Sequence, residues 1–252
     1  MSIETVRFGP DAPAPLALAG TALFLDLDGT LAPIAARPQD VVPDPRRTSL
    51  LERLSGRLDG RLAVISGRSL EDIDRILEAC VRPVAAVHGL VRRRGDGALE
   101  ETSPHPGLIE AGAAFRGMAA ADPRLLVEDK GRSIALHYRQ APDVAWAARL
   151  TAERLAAETG LWRQDGAMVA ELRTPGPSKG DSVRAFLGEP PFLGARPVFV
   201  GDDFTDEDGF AAVGPLGGFG VLVGPARPTS AQFRLRNVDD ALGWLEAALC
   251  PD

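Results

Sequence analysis

The stretch LFLDLDGTL, residues 23–31, ends an apolar run with two closely spaced carboxylates. The apolar residues in and before it predict a buried strand over residues 21–27. Asp26 and Asp28 stand two residues apart, and side chains at that spacing on a strand point to the same face. Two like charges at the edge of a core repel each other, so the pair indicates a functional site.

The sequence around this stretch alternates between short apolar runs and segments with helical periodicity. The predicted strands are 21–27, 61–66, 84–89, 196–200 and, as the last, 220–224, and the predicted helices are 46–59, 69–80, 179–187 and 237–249. Strands that alternate with helices predict a parallel sheet with helices on its faces. We therefore expect an α/β, Rossmann-like core with helices on both faces of the sheet.

Residues 104–172 interrupt this alternation. The predicted elements are a helix at 106–121, a hairpin at 125–139 that turns near Gly131, a helix at 141–159, and a hairpin that turns at Asp165-Gly166, a strong two-residue turn signal. The order αββαββ predicts an inserted α+β domain with an antiparallel sheet. It divides the chain into a core of residues 1–103 and 173–252 and an insertion of residues 104–172.

The composition is that of an ordinary globular protein, with 45% hydrophobic and 25% charged residues in a chain of 252. The net charge of −7 argues against a nucleic-acid partner. Two cysteines, Cys80 and Cys250, form no disulfide framework and fit a reducing compartment. Residues 1–13 lack a signal-peptide pattern, and residues 16–29 are too short and too acidic to span a membrane. We expect a cytoplasmic protein without a membrane partner.

Polar side chains follow the predicted strands at their carboxyl ends, where open parallel sheets bind ligands. The residues concerned are Asp26, Asp28, Thr30, Ser66, Arg68, His88, Asp202, Asp203 and Asp206, with Gly67 in the turn between Ser66 and Arg68 and Lys179 at the start of a helix. Taken singly, each motif is more simply a turn, a solvated acidic loop or a surface helix start. Together they bring several carboxylates to one edge, which requires a cation, and carboxylate oxygens suit Mg²⁺.

Such a cluster is suited to phosphoryl transfer. One carboxylate attacks phosphorus to form an aspartyl phosphate, which divides a difficult hydrolysis into two steps. A second carboxyl protonates the leaving oxygen and later takes a proton from the attacking water. A hydroxyl and a lysine hold the phosphoryl oxygens, where negative charge must be stabilised.

The motifs DLDGT, SGR, SKG and GDDFTD, in this order, resemble the four motifs of haloacid-dehalogenase-superfamily phosphatases. The insertion lies where that superfamily places its larger type of cap domain, so residues 104–172 are called the cap below. The resemblance implies that Asp26 is the nucleophile and Asp28 the general acid/base. It also implies phosphoryl binding by Ser66 and Lys179, and Mg²⁺ binding by Asp26, the backbone carbonyl of Asp28, Asp202, and Asp203 or Asp206.

The two cap hairpins carry charged residues on one face of their predicted sheet. In SIALHYR, residues 133–139, His137 and Arg139 point to the face opposite the apolar side chains. Glu171 and Arg173 do the same in AMVAELR. Periodicity alone leaves open whether this polar face is only solvated or binds a polyhydroxyl ligand.

The segments VEDKGRSIALHYR, ELR before SKG, and GDDFTDEDGF are similar to signatures of the trehalose-6-phosphate phosphatases. That resemblance implies that the cap residues Glu128, Lys130 and Glu171 bind the sugars, and both lysines of the chain then fall on motif positions. The predicted substrate-binding residues in full are Thr30, Gly67, Arg68, His88, Glu128, Lys130, Arg139 and Glu171. Thr174 follows ELR where proline is expected in that family, a departure that affects the linker and none of the charged residues.

The leading prediction is Mg²⁺-dependent hydrolysis of trehalose 6-phosphate, with the cap closing over the disaccharide. Two alternatives remain open: a phosphatase of another sugar phosphate, such as sucrose or mannosylglycerate phosphate, and a sensor that binds a sugar phosphate without turnover. The intact pair of Asp26 and Asp28 argues against the sensor. The expected partner is the small-molecule substrate, and the chain is expected to act as a monomer.

Overall fold

The computed structural model describes residues 12–166 and 168–250, apart from the side chain of Asp165. Its strands are β1 (Thr21–Leu25), β2 (Leu62–Ile65), β3 (Val84–Ala86), β4 (Val91–Arg93), β5 (Leu99–Glu101), β6 (Leu126–Asp129), β7 (Ser133–His137), β8 (Trp162–Gly166), β9 (Val169–Arg173), β10 (Arg196–Gly201), β11 (Phe219–Val223) and β12 (Phe233–Leu235). Its helices are α1 (Pro45–Arg57), α2 (Leu70–Ile76), α3 (Leu108–Ala121), α4 (Ala145–Thr159), α5 (Lys179–Leu187), α6 (Glu207–Val213) and α7 (Val238–Ala247). None of these helices is long and apolar enough to cross a membrane.

Within the described residues the strands form two sheets. The larger has eight strands in the order β12-β11-β10-β1-β2-β3-β4-β5, and the smaller has four in the order β6-β7-β9-β8. The pairs from β12 to β3 are parallel. All pairs of the smaller sheet are antiparallel, as expected for the cap.

Helices cover both faces of the larger sheet, and β1 lies near its centre. Leu23 and Leu25 of β1 pack with α1, α2 and α7 on one face. Ala22 and Phe24 pack with α5 and α6 on the other. A strand that is buried on both faces is apolar throughout, which explains the uninterrupted run before Asp26. The predicted α/β class is confirmed.

Short strands at the edges of the larger sheet were not predicted. β4 and β5 extend the sheet beyond β3 as antiparallel strands. β12 pairs with β11, so the prediction that residues 220–224 form the last strand is wrong. These strands have three residues each, and β5 is exposed along its whole length, so no apolar pattern marks them. The predicted strand 84–89 ends at Ala86, and a 3-10 turn with positive φ angles at Val87 and His88 follows it.

The smaller sheet packs one face against α3 and α4, as the order αββαββ predicted. Its core contains Ile134, Leu136 and Tyr138 from β7 and the residue after it, together with Ala170 and Leu172 from β9. The inserted α+β arrangement is therefore present. The cap boundaries remain a prediction, and the last cap strand continues one residue past the predicted end at 172.

The second cap hairpin turns two residues later than the sequence indicated. Asp165 pairs with Ala170 and Gly166 pairs with Val169, so both lie in a strand and the predicted turn at Asp165-Gly166 is wrong. The pairing follows from burial of the apolar face of β9 against the cap helices, which fixes the register and outweighs the local turn preference. Met168, in the observed turn, adopts a φ of 62°.

Candidate active site

The carboxyl ends of β1, β2 and β10 meet at one edge of the larger sheet. Asp26 follows β1, Ser66 follows β2, and Asp202 follows β10. Lys179 begins α5 beside them, and Ser178 caps the first turn of that helix. The parallel pairing of the three strands therefore brings these groups, distant in sequence, into one cluster.

Lys179 joins two carboxylates at the bottom of this cluster. Its Nζ lies 2.8 Å from Asp26 Oδ1 and 2.7 Å from Asp206 Oδ1. All three side chains are almost completely buried. Burial alone would lower the pKa of Lys179, but Asp206 and Asp26 raise it above its usual range. The ammonium group is therefore charged at neutral pH.

Asp26, Asp202 and Asp206 place carboxylate oxygens within 4.8 Å of one another. The second oxygen of Asp206 accepts hydrogen bonds from the backbone N–H groups of Asp202, at 2.9 Å, and Asp203, at 3.0 Å. Asp203 is half-buried and accepts a hydrogen bond from the backbone N–H of Phe204. Of the two residues left open as supporting groups, Asp206 thus belongs to the cluster and Asp203 lies at its outer side.

The cluster holds more negative charge than Lys179 neutralises. Burial, with smaller contributions from neighbouring carboxylates, raises the pKa of Asp26 to about 8 and that of Asp202 to about 9. Without further positive charge, both groups would hold protons at neutral pH. A divalent cation beside them would favour the ionised forms, and hard carboxylate oxygens suit Mg²⁺. The donor set therefore fits the metal that the motifs imply.

The loop after β1 approaches the loop after β10 very closely at Gly29. The φ of Gly29 is +79°, and a Cβ added there would lie 1.9 Å from Asp202 Oδ2. A larger residue would displace the Asp202 carboxylate from the cluster. This contact explains why glycine follows the two aspartates of the opening motif.

Asp28 is paired with Arg68. The two form a bidentate ion pair, in which Arg68 Nε lies 2.6 Å from Asp28 Oδ2 and Arg68 Nη2 lies 2.7 Å from Oδ1. Arg68 is buried and also donates to the Pro38 carbonyl at 2.9 Å. These contacts orient the Asp28 carboxylate, a role that the sequence did not predict for Arg68, which was expected to bind substrate.

Charged cap residues form the opposite wall of the same cleft. Lys130 Nζ lies 3.2 Å from both carboxylate oxygens of Glu171 and 4.0 Å from Glu128. Glu128 in turn contacts His137 Nε2 at 2.7 Å. Burial alone would raise the pKa of Glu171, but the charge of Lys130 and a hydrogen bond with His88 hold it well below its usual range. Glu171 is therefore ionised at neutral pH and able to accept hydrogen bonds from hydroxyl groups.

His88 connects the core to the cap. Its Nε2 lies 3.5 Å from Glu171 Oε2, and its Nδ1 lies 3.2 Å from Gln164 Nε2. Gly67 leaves room for the ring, because a Cβ there would lie 2.5 Å from His88 Cε1. Burial lowers the pKa of His88, so the imidazole is neutral at pH 7.

Gln164 is a residue of this cleft that the sequence analysis missed. It lies on β8 directly opposite Glu171 and accepts a hydrogen bond from Arg173 Nη1 at 3.1 Å. A hairpin turn at residues 165–166 would instead have paired Gln164 with residue 167. The alternation of apolar residues in β9 sets the register of this hairpin. That alternation was the sequence signal that could have placed Gln164 opposite Glu171.

One cleft between core and cap contains most of the predicted site. The predicted residues that line it are Asp26, Asp28, Ser66, Gly67, Arg68, His88, Glu128, Lys130, Arg139, Glu171, Lys179, Asp202 and Asp203. Asp206 lies beneath them and is completely buried. Thr30 is also completely buried, away from the cleft lining, and its hydroxyl has no hydrogen-bond partner among the described residues. The structure therefore does not bring Thr30 to the substrate side of the site.

The parallel core, the carboxylate and lysine cluster at its strand ends and the inserted cap define an α/β protein with a candidate phosphoryl-transfer site. A solved structure described as a sugar phosphatase of subclass IIB of the haloacid-dehalogenase superfamily shares the fold, with a TM-score of 0.58 over 87% of this chain and 12% sequence identity. A Candida albicans trehalose-6-phosphate phosphatase C-terminal domain superposes with a TM-score of 0.85 over 97% of this chain and 99% of that chain, at 21% identity.

Residues 24–239 match the family model described as trehalose-phosphatase. The chain is 40% identical over 230 residues to a trehalose-6-phosphate phosphatase of Escherichia coli, covering 89% of this chain and 85% of that protein. It is 39% identical over 235 residues to a probable trehalose-phosphate phosphatase of Sinorhizobium fredii, covering 90% and 87%. The chain belongs to the trehalose-phosphatase family.

Proposed function

We propose that this protein is a Mg²⁺-dependent phosphatase that hydrolyses trehalose 6-phosphate to trehalose and phosphate. The observation that carries the proposal is a single cleft with two chemically different walls. The core wall presents Asp26 with its charge partner Lys179, and the cap wall presents the paired charges of Lys130 and Glu171. The first wall suits a phosphoryl group, and the second suits the hydroxyl groups of a sugar.

The residues that would hold the metal are Asp26, Asp202 and the backbone carbonyl of Asp28, with Asp206 in support. When bound, Mg²⁺ supplies positive charge to the phosphoryl oxygens and to the surrounding carboxylates. Asp206 holds the ammonium group of Lys179 beside Asp26. The ammonium group is therefore already in place to contact a phosphoryl group that is bound at Asp26. Ser66 lines the cleft and can donate its hydroxyl to a phosphoryl oxygen.

The reaction proceeds in two displacements at phosphorus. In the first, an oxygen of Asp26 forms a bond to phosphorus while the bond to the sugar oxygen breaks, and Asp28 in its acid form gives that oxygen a proton. In the second, water attacks the aspartyl phosphate and passes a proton to Asp28, which releases phosphate and restores both carboxyl groups. Arg68 orients the carboxylate form of Asp28, which takes the proton from the attacking water, through its bidentate contact.

The cap is proposed to select the disaccharide. Glu128, Lys130 and Glu171 offer both acceptors and donors to sugar hydroxyls, and Gln164 and His88 lie beside them. Both cysteines are free thiols, which supports the proposal that the protein works in the reducing environment of the cytoplasm.

Phosphate release from a panel of esters tests this function. The panel contains trehalose 6-phosphate, sucrose 6-phosphate, a mannosylglycerate phosphate and glucose 6-phosphate, each assayed with Mg²⁺ and after chelation. We expect kcat/KM to be highest for trehalose 6-phosphate by at least about ten-fold, since sites that pair buried polar groups with substrate hydroxyls discriminate strongly. Chelation is expected to remove activity on every ester. Comparable turnover of glucose 6-phosphate, or binding of all esters without turnover, would contradict the proposal.

Glu171→Gln is expected to weaken recognition of the disaccharide more than it slows the reaction at phosphorus. The loss of a charged acceptor at this position should lower kcat/KM for trehalose 6-phosphate about ten- to hundred-fold, because hydrogen bonds to charged groups contribute about 1.5–3 kcal/mol. A small ester such as p-nitrophenyl phosphate should lose much less. Glu158→Gln, at an exposed site on α4, is the matched control. Equal losses on both esters would assign Glu171 to folding or to the reacting centre instead.

The same variant has a predicted pH dependence of stability. The pKa of Glu171 is lower in the folded protein than its ordinary value of 4.5. A depressed pKa contributes stability above the unfolded-state value, and that contribution declines as the pH falls below it. The difference in Tm between wild type and Glu171→Gln should therefore be largest near neutral pH and shrink below about pH 4.5.

A further inference from the structure

The entrance of the cleft is lined by positively charged side chains from both domains. Arg37, on the core loop after β1, and Arg139, after cap strand β7, line the cleft itself. A side cavity of about 170 Å³ opens next to them and is lined by the same two arginines, by His137 and by Arg124. The cap end of this entrance is fixed to the core loop, because the Arg139 guanidinium donates a hydrogen bond to the Ala35 carbonyl.

Arg37 differs from the other arginines of the entrance in its contacts. Arg124 is bonded to Asp122 and Asp143. The Arg37 side chain is exposed and forms no ion pair with any carboxylate in the part of the chain that the structure describes. The nearby Asp40 carboxylate accepts a hydrogen bond from the backbone N–H of Arg37, at 3.2 Å, and leaves its guanidinium to solvent.

The position of Arg37 is nevertheless well defined. The next residue, Pro38, accepts a hydrogen bond at its carbonyl from Arg68, the partner of Asp28. The loop that carries Arg37 is therefore fixed to the catalytic side of the cleft, while its side chain lies at the mouth. A cation held in this way is placed to act on a ligand that is entering rather than on one that has been bound.

Apart from this entrance, the negative charge of the protein repels an entering phosphate ester. The chain carries a net charge of −7, and carboxylates of Asp26, Asp28 and Asp202 line the inner cleft. A local patch of charge can raise the rate at which an oppositely charged ligand reaches a cleft. This effect weakens as the ionic strength rises. We propose that Arg37 recruits the dianionic phosphate ester at the cleft entrance by long-range electrostatic attraction. This inference rests on the proposed function, because it takes the substrate to be a phosphate ester.

The test compares Arg37→Gln with wild type in steady-state phosphate release from trehalose 6-phosphate at two ionic strengths. At about 0.02 M salt, where charges act over some 20 Å, kcat/KM should fall about three- to ten-fold while kcat stays the same. At about 0.5 M salt the difference should disappear, since the field is screened within a few ångströms. Arg37→Lys, which keeps the charge, should behave as wild type.

Arg53→Gln is the matched control, because it removes the same charge from an exposed site on α1 that does not line the cleft. Inhibition by trehalose, which is neutral, gives a second control and should be the same in Arg37→Gln and wild type. The inference is overturned by an unchanged kcat/KM at low salt or by a loss that persists at high salt. An equal loss in Arg53→Gln would also overturn it, because net charge alone would then account for the effect.

Failure of the proposed function gives a different result from failure of this inference. If wild type released no phosphate from trehalose 6-phosphate but hydrolysed another ester of the panel, the proposed substrate would be wrong. The same comparison of Arg37→Gln with wild type on that ester would then decide the role of Arg37. A salt-dependent loss would support recruitment, and an unchanged kcat/KM would exclude it.

Discussion

Asp26→Asn is expected to abolish phosphate release, with kcat lowered by about 10⁴-fold or more. The amide nitrogen and oxygen of asparagine cannot attack phosphorus as a carboxylate does, so the first displacement has no nucleophile. The measurement is phosphate release from trehalose 6-phosphate at saturating Mg²⁺. Asp239→Asn, at an exposed site on α7, makes the same chemical change away from the cleft and should retain full activity.

The Asp26→Asn protein should nevertheless remain folded. Burial raises the pKa of Asp26 to about 8, so an ionised carboxylate at this position costs free energy unless a cation is bound beside it. Asparagine has nearly the same shape and no charge, and Lys179 keeps Asp206 as its partner. We expect the free energy of unfolding to be unchanged or higher. An inactive but unfolded variant would leave the nucleophile unidentified, whereas a folded variant with wild-type activity would refute the assignment.

Lys179→Met is expected to cause the largest loss of stability of any single change in the site. It removes the ammonium from two buried carboxylates, Asp26 and Asp206, and breaking a buried ion pair in this way costs about 3–5 kcal/mol. The free energy of unfolding is measured by denaturant titration. Activity should be lost as well, because methionine has no ammonium group to stabilise the negative charge on the phosphoryl oxygens.

The loss in Lys179→Met should depend on pH in a defined direction. The pKa of Asp26 is already raised above its ordinary value of 3.8, and removal of Lys179 raises it further, since the lysine lowers it in the wild type. A raised pKa contributes stability at low pH that is lost as the pH rises through the folded-state value. Because the wild-type pKa is already about 8, the deficit of the variant relative to wild type should grow above about pH 8, where the Asp26 contribution falls further only in the variant. Added Mg²⁺ should recover part of the loss.

Arg184→Met is the matched control for this prediction. It removes a cation from the same helix, α5, at an exposed site where Arg184 pairs with Asp181. Surface ion pairs contribute about 0–1 kcal/mol, so the change should be small and nearly independent of pH. A similar loss in both variants would show that α5, rather than the buried charge cluster, determines the effect.

The core of the fold was predictable because its strands are buried on both faces. An apolar run such as residues 22–25 has few alternatives to a central strand, and the polar residues after it mark the edge of the sheet. The three-residue strands β4, β5 and β12 lie at the two edges of the sheet. Their pairing depends on neighbours that are distant in the sequence, and their own residues carry no apolar periodicity.

The part of the site that lies in sequence motifs at the ends of strands was predictable. The cluster of Asp26, Lys179 and Asp202 follows from where parallel strands end. The pairing of Arg68 with Asp28 was not foreseen, because it depends on how a loop from β2 packs beside the loop from β1. Gln164 was missed for a related reason, since its neighbours are set by the register of a hairpin whose strongest local signal was misleading.

The most direct test is a single turnover of trehalose 6-phosphate labelled in its phosphate, with excess enzyme, quenched in acid at successive times and digested to peptides. Asp28→Asn is run alongside wild type, because loss of the general base slows the second displacement and prolongs the intermediate. The account predicts a label that appears on the peptide containing Asp26 before free phosphate is released, and that is absent from Asp26→Asn. Label on a different residue, or only free phosphate at every time in both proteins, would contradict it.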